Sequence, residues 1–471
     1  MDHLFEMHRR PVFVIGFSLP FAYLLSFVFE GQVLYGLLAY HNQSFSGYIF
    51  PAILGHFAGL LSCGLFVKSF GAARKMMISG MGICLLATLP FFSIPTSLWI
   101  GGLFVAAYAG GCYLAAWGYY LKEFIPKNER LQVCADVLIG SNIVMIGIQV
   151  ITLYSSIHVG LILSVFCLVA GMLFLGRLPL VVRSGVSSPE PMVKRVSSNV
   201  RNTLSMLCLF IFVITINSGL MYQVINPAFE HLTTLVKWYW AIPYIVAIAI
   251  MRNLLKQANR SYSLYFGLLM IMATFVSFML LGRGTTDYFV INTLMLGACG
   301  IFDLFWWSIL AEMLEYAHNP AKVFGAGLSA NVFGILMGGI LGYRAIFFQF
   351  TNAEITVIAL SVLCLTMVLL PPLNRRLFLL LSNHAYIANY ENLDRPQKAD
   401  VLRKHIPLEA LTGREQEVLE LILSGRPNRE IAATLGIAES TVKTHVGNIF
   451  GKYGVVSRAE LISMLLKSQG A

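Results

Sequence analysis

The sequence predicts an all-α protein, with about twelve transmembrane helices followed by a small helical domain at the C-terminus. Three observations carry this. Hydrophobic residues make up 57% of the 471 and charged residues only 12%, with a mean hydropathy of +0.73, whereas an ordinary globular chain is about a quarter charged. Apolar runs of the ~20 residues a helix needs to cross a bilayer recur from Pro11 to Leu370. From Leu411 onward the chain turns polar and helix-forming, with ordinary charge density. Lipid, rather than a protein core, must solvate the first part.

The spans fall at 12–40, 46–67, 76–95, 97–121, 131–153, 157–176, 203–225, 236–251, 261–281, 287–311, 323–348 and 354–373. Glu30 and Gly31 should interrupt the first. No small-residue cleavage site follows the apolar stretch after Arg9-Arg10, so a cleaved signal peptide is not expected. One set of alternate connections holds Arg9, Arg10, Lys68, Arg74, Lys75, Lys122, Lys127, Arg130, Arg177, Arg183, Lys194, Arg195, Arg201, Arg252, Lys256, Arg260, Lys322, Arg375 and Arg376. The opposite set holds only Lys237, Arg283 and Arg344. Basic loops stay on the cytoplasmic side, which places both termini in the cytoplasm and the chain in a bacterial inner membrane. The eight cysteines lie in apolar stretches without CxxC spacing, as buried packing residues do.

Six spans, a basic linker at 177–202 containing Ser-Ser-Pro-Glu-Pro, and six more spans resemble the major facilitator superfamily, whose halves are repeats around a midplane site. After the second span, Gly64, Lys68, Gly71, Arg74 and Lys75 look like that family's glycine-and-basic loop. Lys68 stands where the family has an acid of the charge network that governs rocking between states, which weakens a transport reading. Halves at about 11–176 and 203–373 make a membrane domain of 1–373. A juxtamembrane linker at 374–405 and a tail domain at 406–471 follow.

The tail opens with a capping box, Thr412 and Glu415, and an apolar stripe of Val418, Leu419, Ile422 and Leu423, which Gly425 ends. A second helix starts near Pro427 with Ile431, Ala432 and Leu435. Gly436 turns the chain, and a third helix runs from about Glu439 to Lys452. A second box, Ser457 to Glu460, opens the last helix. Ala432, Gly436 and Val442 have the spacing of a helix-turn-helix. Leu411-Thr-x-Arg-Glu-x-Glu-Val-Leu, Asn428-Arg-Glu-Ile-Ala, Thr441-Val-Lys-Thr-His and Lys452-x-Gly-Val-x-x-Arg458 together resemble the LuxR/FixJ type of DNA-binding domain. By that resemblance Lys443 and Thr444 face the major groove, where lysine donates to guanine acceptors. Thr441, His445 and Asn448 lie near phosphates, which position rather than specify, and Lys452 and Asn428 complete the DNA-binding set. Gly447 and Gly451 weaken the third helix by roughly 1 kcal/mol each, and Ala438 replaces the usual capping serine. Seven basic and seven acidic residues leave 406–471 neutral. Weak monomeric binding and a homodimer on DNA are therefore expected.

Charges at membrane depth point to function. Asp303, beside Trp306 and Trp307, is deepest, and with Trp306 and Glu30 it is a candidate ligand-binding residue; Glu30 and Arg344 also fit the outer interface, Asp136 an ion pair with the basic side, and His56 is a neutral candidate. In facilitator-like folds the first, fourth, seventh and tenth helices line the cavity. That resemblance adds Tyr113, Trp117 and Tyr120 on the fourth, and Asn217, Gln223 and Asn226 on the seventh. Such a cavity would suit an aromatic, polyphenolic or cationic small molecule. Gly334, Gly338 and Gly342 let the eleventh span pack closely. With no Walker, HExxH, GxSxG or dinucleotide motif in the sequence, no enzyme activity, cofactor or metal is expected. The combined resemblances imply a membrane-embedded one-component transcription regulator, with lipid, DNA and a small-molecule effector as partners. The alternative is a facilitator-type transporter with a regulatory tail.

Overall fold

The computed structural model describes residues 2–29, 31–43, 46–178, 197–254, 260–391, 407–424, 426, 428–455 and 458–466. Glu30, the Ser-Ser-Pro-Glu-Pro run, residues 392–405, Gly425, Pro427 and Ser457 therefore lie outside the described residues. Every regular element among them is helical. The chain divides into two compact units, Met1–Arg183 with Met206–Leu369 and Ser184–Ser205 with Leu370–Ala471.

Among the described residues, eleven helical stretches are long and apolar enough to cross a membrane. The first is α1 (Asp2–Tyr23), a π-helical turn at Leu24–Val28 and α2 (Gln32–Tyr40). The chain is extended at Gly31, where a Cβ would collide with the Ser26 carbonyl, so this break needs glycine. Next come α3 (Ser46–Phe66), α4 (Phe70–Thr88), α5 (Ser97–Phe124), α6 (Arg130–Tyr154) and α7 (Ile157–Gly176). Ser69, Thr96 and Ser156 cap α4, α5 and α7 with their hydroxyls, satisfying first-turn amides.

The second half begins with α8 (Ser197–Leu220) and a second π turn at Met221–Ile225. The run at 236–251 is broken into two short helices, α9 (Thr233–Tyr239) and α10 (Ile242–Leu254). Pro243 has no N–H to give the carbonyl four residues back, and its ring crowds that carbonyl. Then follow α11 (Arg260–Leu280), α12 (Thr285–Met313), α13 (Pro320–Phe347) and α14 (Asn352–Glu391). Helix α14 continues past Pro371 and Pro372, so the segment expected to be a linker starts as helix.

Within the first half α3 and α4 pack on α5, and α1 packs on α6 and α7; the halves meet where α13 lies on α3 and α5, and α6 on α10 and α12. A Cβ on Gly338 would strike the Ile216 carbonyl, and one on Gly334 the Thr215 hydroxyl. Helix α13 thus approaches α8 backbone to backbone, as its small-residue spacing led one to expect.

The tail holds α15 (Gly413–Leu423), α16 (Asn428–Leu435), α17 (Glu439–Tyr453) and α18 (Arg458–Leu466). Val418, Leu419, Ile422, Ile431, Val442, Ile449, Leu461 and Leu465 form a single core with no solvent exposure. Gly436 is left-handed at φ 65°, the conformation glycine adopts without a Cβ penalty, and it sets α17 against α16.

Candidate DNA interface and candidate ligand cavity

In the tail, helix α17 buries Val442, Val446, Ile449 and Tyr453 and leaves the opposite face bare. Thr441, Lys443, Thr444 and Asn448 are exposed there, with His445 half-buried at the edge. Thr444 Oγ1 donates to the Ser440 carbonyl at 3.2 Å, and Lys443 Nζ lies 3.8 Å from Glu439. A surface pair of that kind is worth well under ~1 kcal/mol, so Lys443 remains able to reach another anion. Gly447 meets nothing within 4 Å of where a Cβ would stand. The N-cap, Ala438, makes no side-chain cap bond, as its identity predicts. Asn428 is the half-buried first residue of α16.

Lys452 has a structural partner within the tail. Its ammonium bonds Glu415 at 2.7 Å and the Ala410 carbonyl at 2.9 Å, and the Glu415 side chain is only 4% exposed. Glu415 also accepts the Thr412 N–H at 2.8 Å and donates its own N–H to Thr412 Oγ1 at 3.3 Å, closing the expected capping box. The Lys452 ammonium, then the Thr412 N–H, hold the Glu415 carboxyl down at about 2. Lys452 is thus a tie between α17 and the start of α15. The motif residues Arg414 and Arg458 build the fold as well. Arg414 donates to the Leu435 carbonyl at 2.9 Å, and Arg458 to the Ile422 and Arg426 carbonyls at 3.0 and 2.6 Å. Both donate to carbonyls at or just beyond helix C-termini, where intrahelical partners run out. Sequence reasoning gave these arginines no role, because the carbonyls they serve lie 21 and 36 residues away.

In the membrane bundle a cavity of about 190 Å³ lies between the halves. Both π turns border it, through Leu25 in the first half and Met221 and Tyr222 in the second. Broken helices in corresponding positions of two repeats mark binding sites, and π turns concentrate at functional ones. Asp303 and Trp306 reach this cavity, along with Trp307, Phe302, His56, Asn142 and Trp240. The Tyr244 hydroxyl donates to Asp303 Oδ2 at 2.7 Å, and Trp306 Nε1 and Trp240 Nε1 are buried without an acceptor. His56 holds its Nδ1 3.2 Å from the Ala107 carbonyl. A wider space of about 820 Å³, lined by Gln223, Asn226, Gln149 and Glu230, shares Tyr222 and Trp240 with the cavity.

Four expected cavity residues lie elsewhere. Tyr113 is fully buried, its hydroxyl donating to the Pro20 carbonyl at 2.7 Å. Trp117 stacks on Phe17 at 4.5 Å and stands 5.5 Å behind Trp307. Tyr120 packs on Phe70. Asn217 is wholly buried with no partner for either amide atom, outside the cavity wall. The common face of Tyr113, Trp117 and Tyr120 is real, but it turns toward neighbouring helices. Arg344 is exposed. Tyr244, Trp240 and Asn142 gave no signal in the sequence, since polar aromatics and amides are ordinary within apolar runs.

At the end of the bundle where α1 begins, polar side chains tie the halves together. Arg130, 2% exposed, pairs with Glu315 at 2.5 Å and donates to the Ala311, Ile125 and Lys122 carbonyls at 3.1 Å each. Asp136 bridges Arg10 at 2.8 Å and Arg252 at 2.7 Å, the ion pair its position implied. Asn319 caps α13 and donates to the Gly64 and Val67 carbonyls at 2.8 and 3.0 Å. The wide space lies toward the other end, near Gln32, Leu153, Glu230 and Tyr288.

Eleven candidate spans among the described residues form an α-helical bundle around a cavity, a facilitator-like fold. The solved structures agree. The human organic anion transporter MFSD10 (TETRAN) superposes with a TM-score of 0.60 at 14% identity, covering 78% of this chain and 99% of that one. The E. coli fucose:proton symporter FucP gives 0.54 at 13% identity, covering 79% and 99%. Likeness at this identity shows the fold. Residues 409–465 match the family of bacterial regulatory proteins, luxR family. The tail is 44% identical over 63 residues to the probable transcriptional regulatory protein SgaR of Hyphomicrobium methylovorum, spanning 13% of this chain and 30% of that protein. It is 48% identical over 56 residues to the transcriptional regulatory protein MctR of Rhizobium johnstonii, spanning 12% and 26%. The chain therefore covers less than a third of either relative. It is a multi-pass membrane protein that carries a luxR-family domain at its C-terminus.

Proposed function

We propose that this protein is a membrane-embedded one-component transcription regulator, which binds a small molecule in its bundle and DNA through its tail. The observation that carries the reading is a luxR-family domain with a bare face on α17, in one chain with a bundle that encloses a cavity between two halves. Lys443 and Thr444 read base edges, Thr441, His445 and Asn448 meet phosphates, and Asn428 lies beside them. The neutral charge of 406–471 supplies little of the non-specific attraction that DNA binding rests on, so two copies bind together as a homodimer. Ligand control requires different affinities for two states of the bundle. Side-chain ties close the end where α1 begins, while the wide space offers entry at the other. Helix α14 continues the last span to Glu391 and conveys movement of the bundle along the chain.

Chromatin immunoprecipitation of the full-length chain tests this reading. Discrete sites should be enriched, and lost when Lys443 and Thr444 are both replaced by alanine; no enrichment, or enrichment unchanged in the double variant, rejects it. Both termini belong in the cytoplasm of a bacterial inner membrane, so a reporter active only outside that membrane should stay silent at either end. The likeness in fold to transporters favours a second reading, a transporter with a regulatory tail. Substrate uptake into proteoliposomes by tail-deleted protein would support it against the first.

A further inference from the structure

We infer that the central cavity takes an organic cation with a single aromatic ring, its charge against Asp303 and its ring among Phe302, Trp306 and Trp307. This deepens the sensor reading above and rests on it.

The carboxylate comes first. An ionised carboxylate can accept about four hydrogen bonds, and among the described residues Asp303 receives one, from the neutral Tyr244 hydroxyl. Among the described residues, no lysine or arginine lines the cavity, and none forms an ion pair with Asp303. A charge at membrane depth without a counter-charge is costly, and a bound cation supplies that counter-charge. The same carboxylate repels an anion. The approach agrees in sign, because the wider space that shares Tyr222 and Trp240 with the cavity contains Glu230 and, among the described residues, no lysine or arginine.

The ring follows from the walls and the volume. Phe21, Phe29, Phe302, Trp306 and Trp307 border the cavity, and aromatic faces attract cations as well as stacking on rings. A cavity of roughly 150 Å³ holds one benzene molecule, so about 190 Å³ suits one ring with a short arm. Trp306 is 2% exposed, and its Nε1–H has no acceptor among the described residues. It stands three residues along α12 from Asp303, a rise of ~4.5 Å and close to one turn. A donor so placed serves an oxygen on the ligand, at the other end from its charge.

The test uses the purified full-length chain in detergent and three probes with one ring and one arm length: 2-phenylethylamine, 2-phenylethanol and phenylacetate. Calorimetry should show the amine binding at least about tenfold more tightly than the alcohol, as a charge-assisted contact requires, and the acid not binding. In Asp303→Asn the amine should fall to the affinity of the alcohol, with the alcohol unchanged. Equal binding of amine and alcohol to the wild-type chain, preference for phenylacetate, or no binding of any probe overturns the inference. The wild-type ranking decides the matter even where Asp303→Asn does not fold. No DNA enters the measurement. Binding of the amine without a transcriptional response leaves this inference standing and defeats the sensor reading, while a transcriptional response to an anionic ligand does the reverse.

Discussion

Glu415 in the tail and Asp303 in the membrane bundle are two carboxylates withdrawn from bulk water, and the molecule treats them in opposite ways. Glu415 receives an ammonium from Lys452 and an amide from Thr412, and its side chain is 4% exposed. Asp303 has one neutral donor and an open side facing a cavity. The first is closed by the protein, so removing a partner costs stability. The second is left open, so removing it costs a contact with something else. The same contrast holds for the basic groups. Arg130 is saturated by Glu315 and three carbonyls, whereas Lys443 has only a loose surface contact.

The largest expected effect breaks the closed side of this contrast. Lys452→Ala leaves Glu415 buried without its cation, a loss that typically costs ~3–5 kcal/mol. Hydrogen exchange across Gly413–Leu423 in the full-length chain should rise about a hundredfold or more. Unchanged exchange would mean that the pair is ornamental and that Lys452 is free for phosphate after all. Arg130→Met should likewise lower the thermal midpoint of the bundle in detergent, by stranding Glu315 beside unpaired carbonyls. If the midpoint holds, the ties at that end do not secure the two halves.

Acid probes the same closed pair. The folded Glu415 carboxyl is held at about 2, below its unfolded value near ~4.3. A depressed carboxyl contributes stability that is complete above the unfolded value and is lost as pH falls toward the folded one. Protection of α15 should therefore decline between about pH 4.5 and 2, and Glu415→Gln should flatten that decline. A decline of equal steepness in the variant would assign it to other groups.

The open side should respond in binding rather than folding. Lys443→Ala and Thr444→Ala should each cost about 1–3 kcal/mol of discrimination at the bases they read, with α15 and α18 equally protected. In a mobility shift on an immunoprecipitated site, wild-type affinity for both would remove α17 as the reading helix. Asp303→Asn and Trp306→Ala should raise the ligand dose that switches a target promoter, at equal membrane abundance. A normal dose response in both would make them packing residues. The smallest effect is a gain. Ala438 already has cap geometry, φ −67° and ψ 147°, without a cap bond, so Ala438→Ser should stabilise α17 by about 1 kcal/mol, read as slower exchange in its first turn.

The amino-acid sequence by itself determined the class of each region and most of the tail. Apolar runs and loop charges are local signals, and so are capping boxes, the Gly436 turn and the missing cap at Ala438. They report what a short stretch does with its own backbone, and in a four-helix tail most partners lie within some forty residues. Even there the tie made by Lys452 was not legible, because a lysine near a recognition helix gives no sign that Glu415, 37 residues away, will claim it. In the bundle the ties span longer intervals, 59 residues from Tyr244 to Asp303 and 181 from Arg130 to the Ala311 carbonyl. Only the tertiary structure could decide that Trp306 faces the cavity while Trp117 stands behind Trp307, or that Pro243 splits the run at 236–251. The reason is that lipid rewards apolar side chains on every face of a span. Periodicity then fades as a guide to inside and outside, and helix rotation is fixed by contacts such as those of Gly338 and Ile216 that no single span encodes.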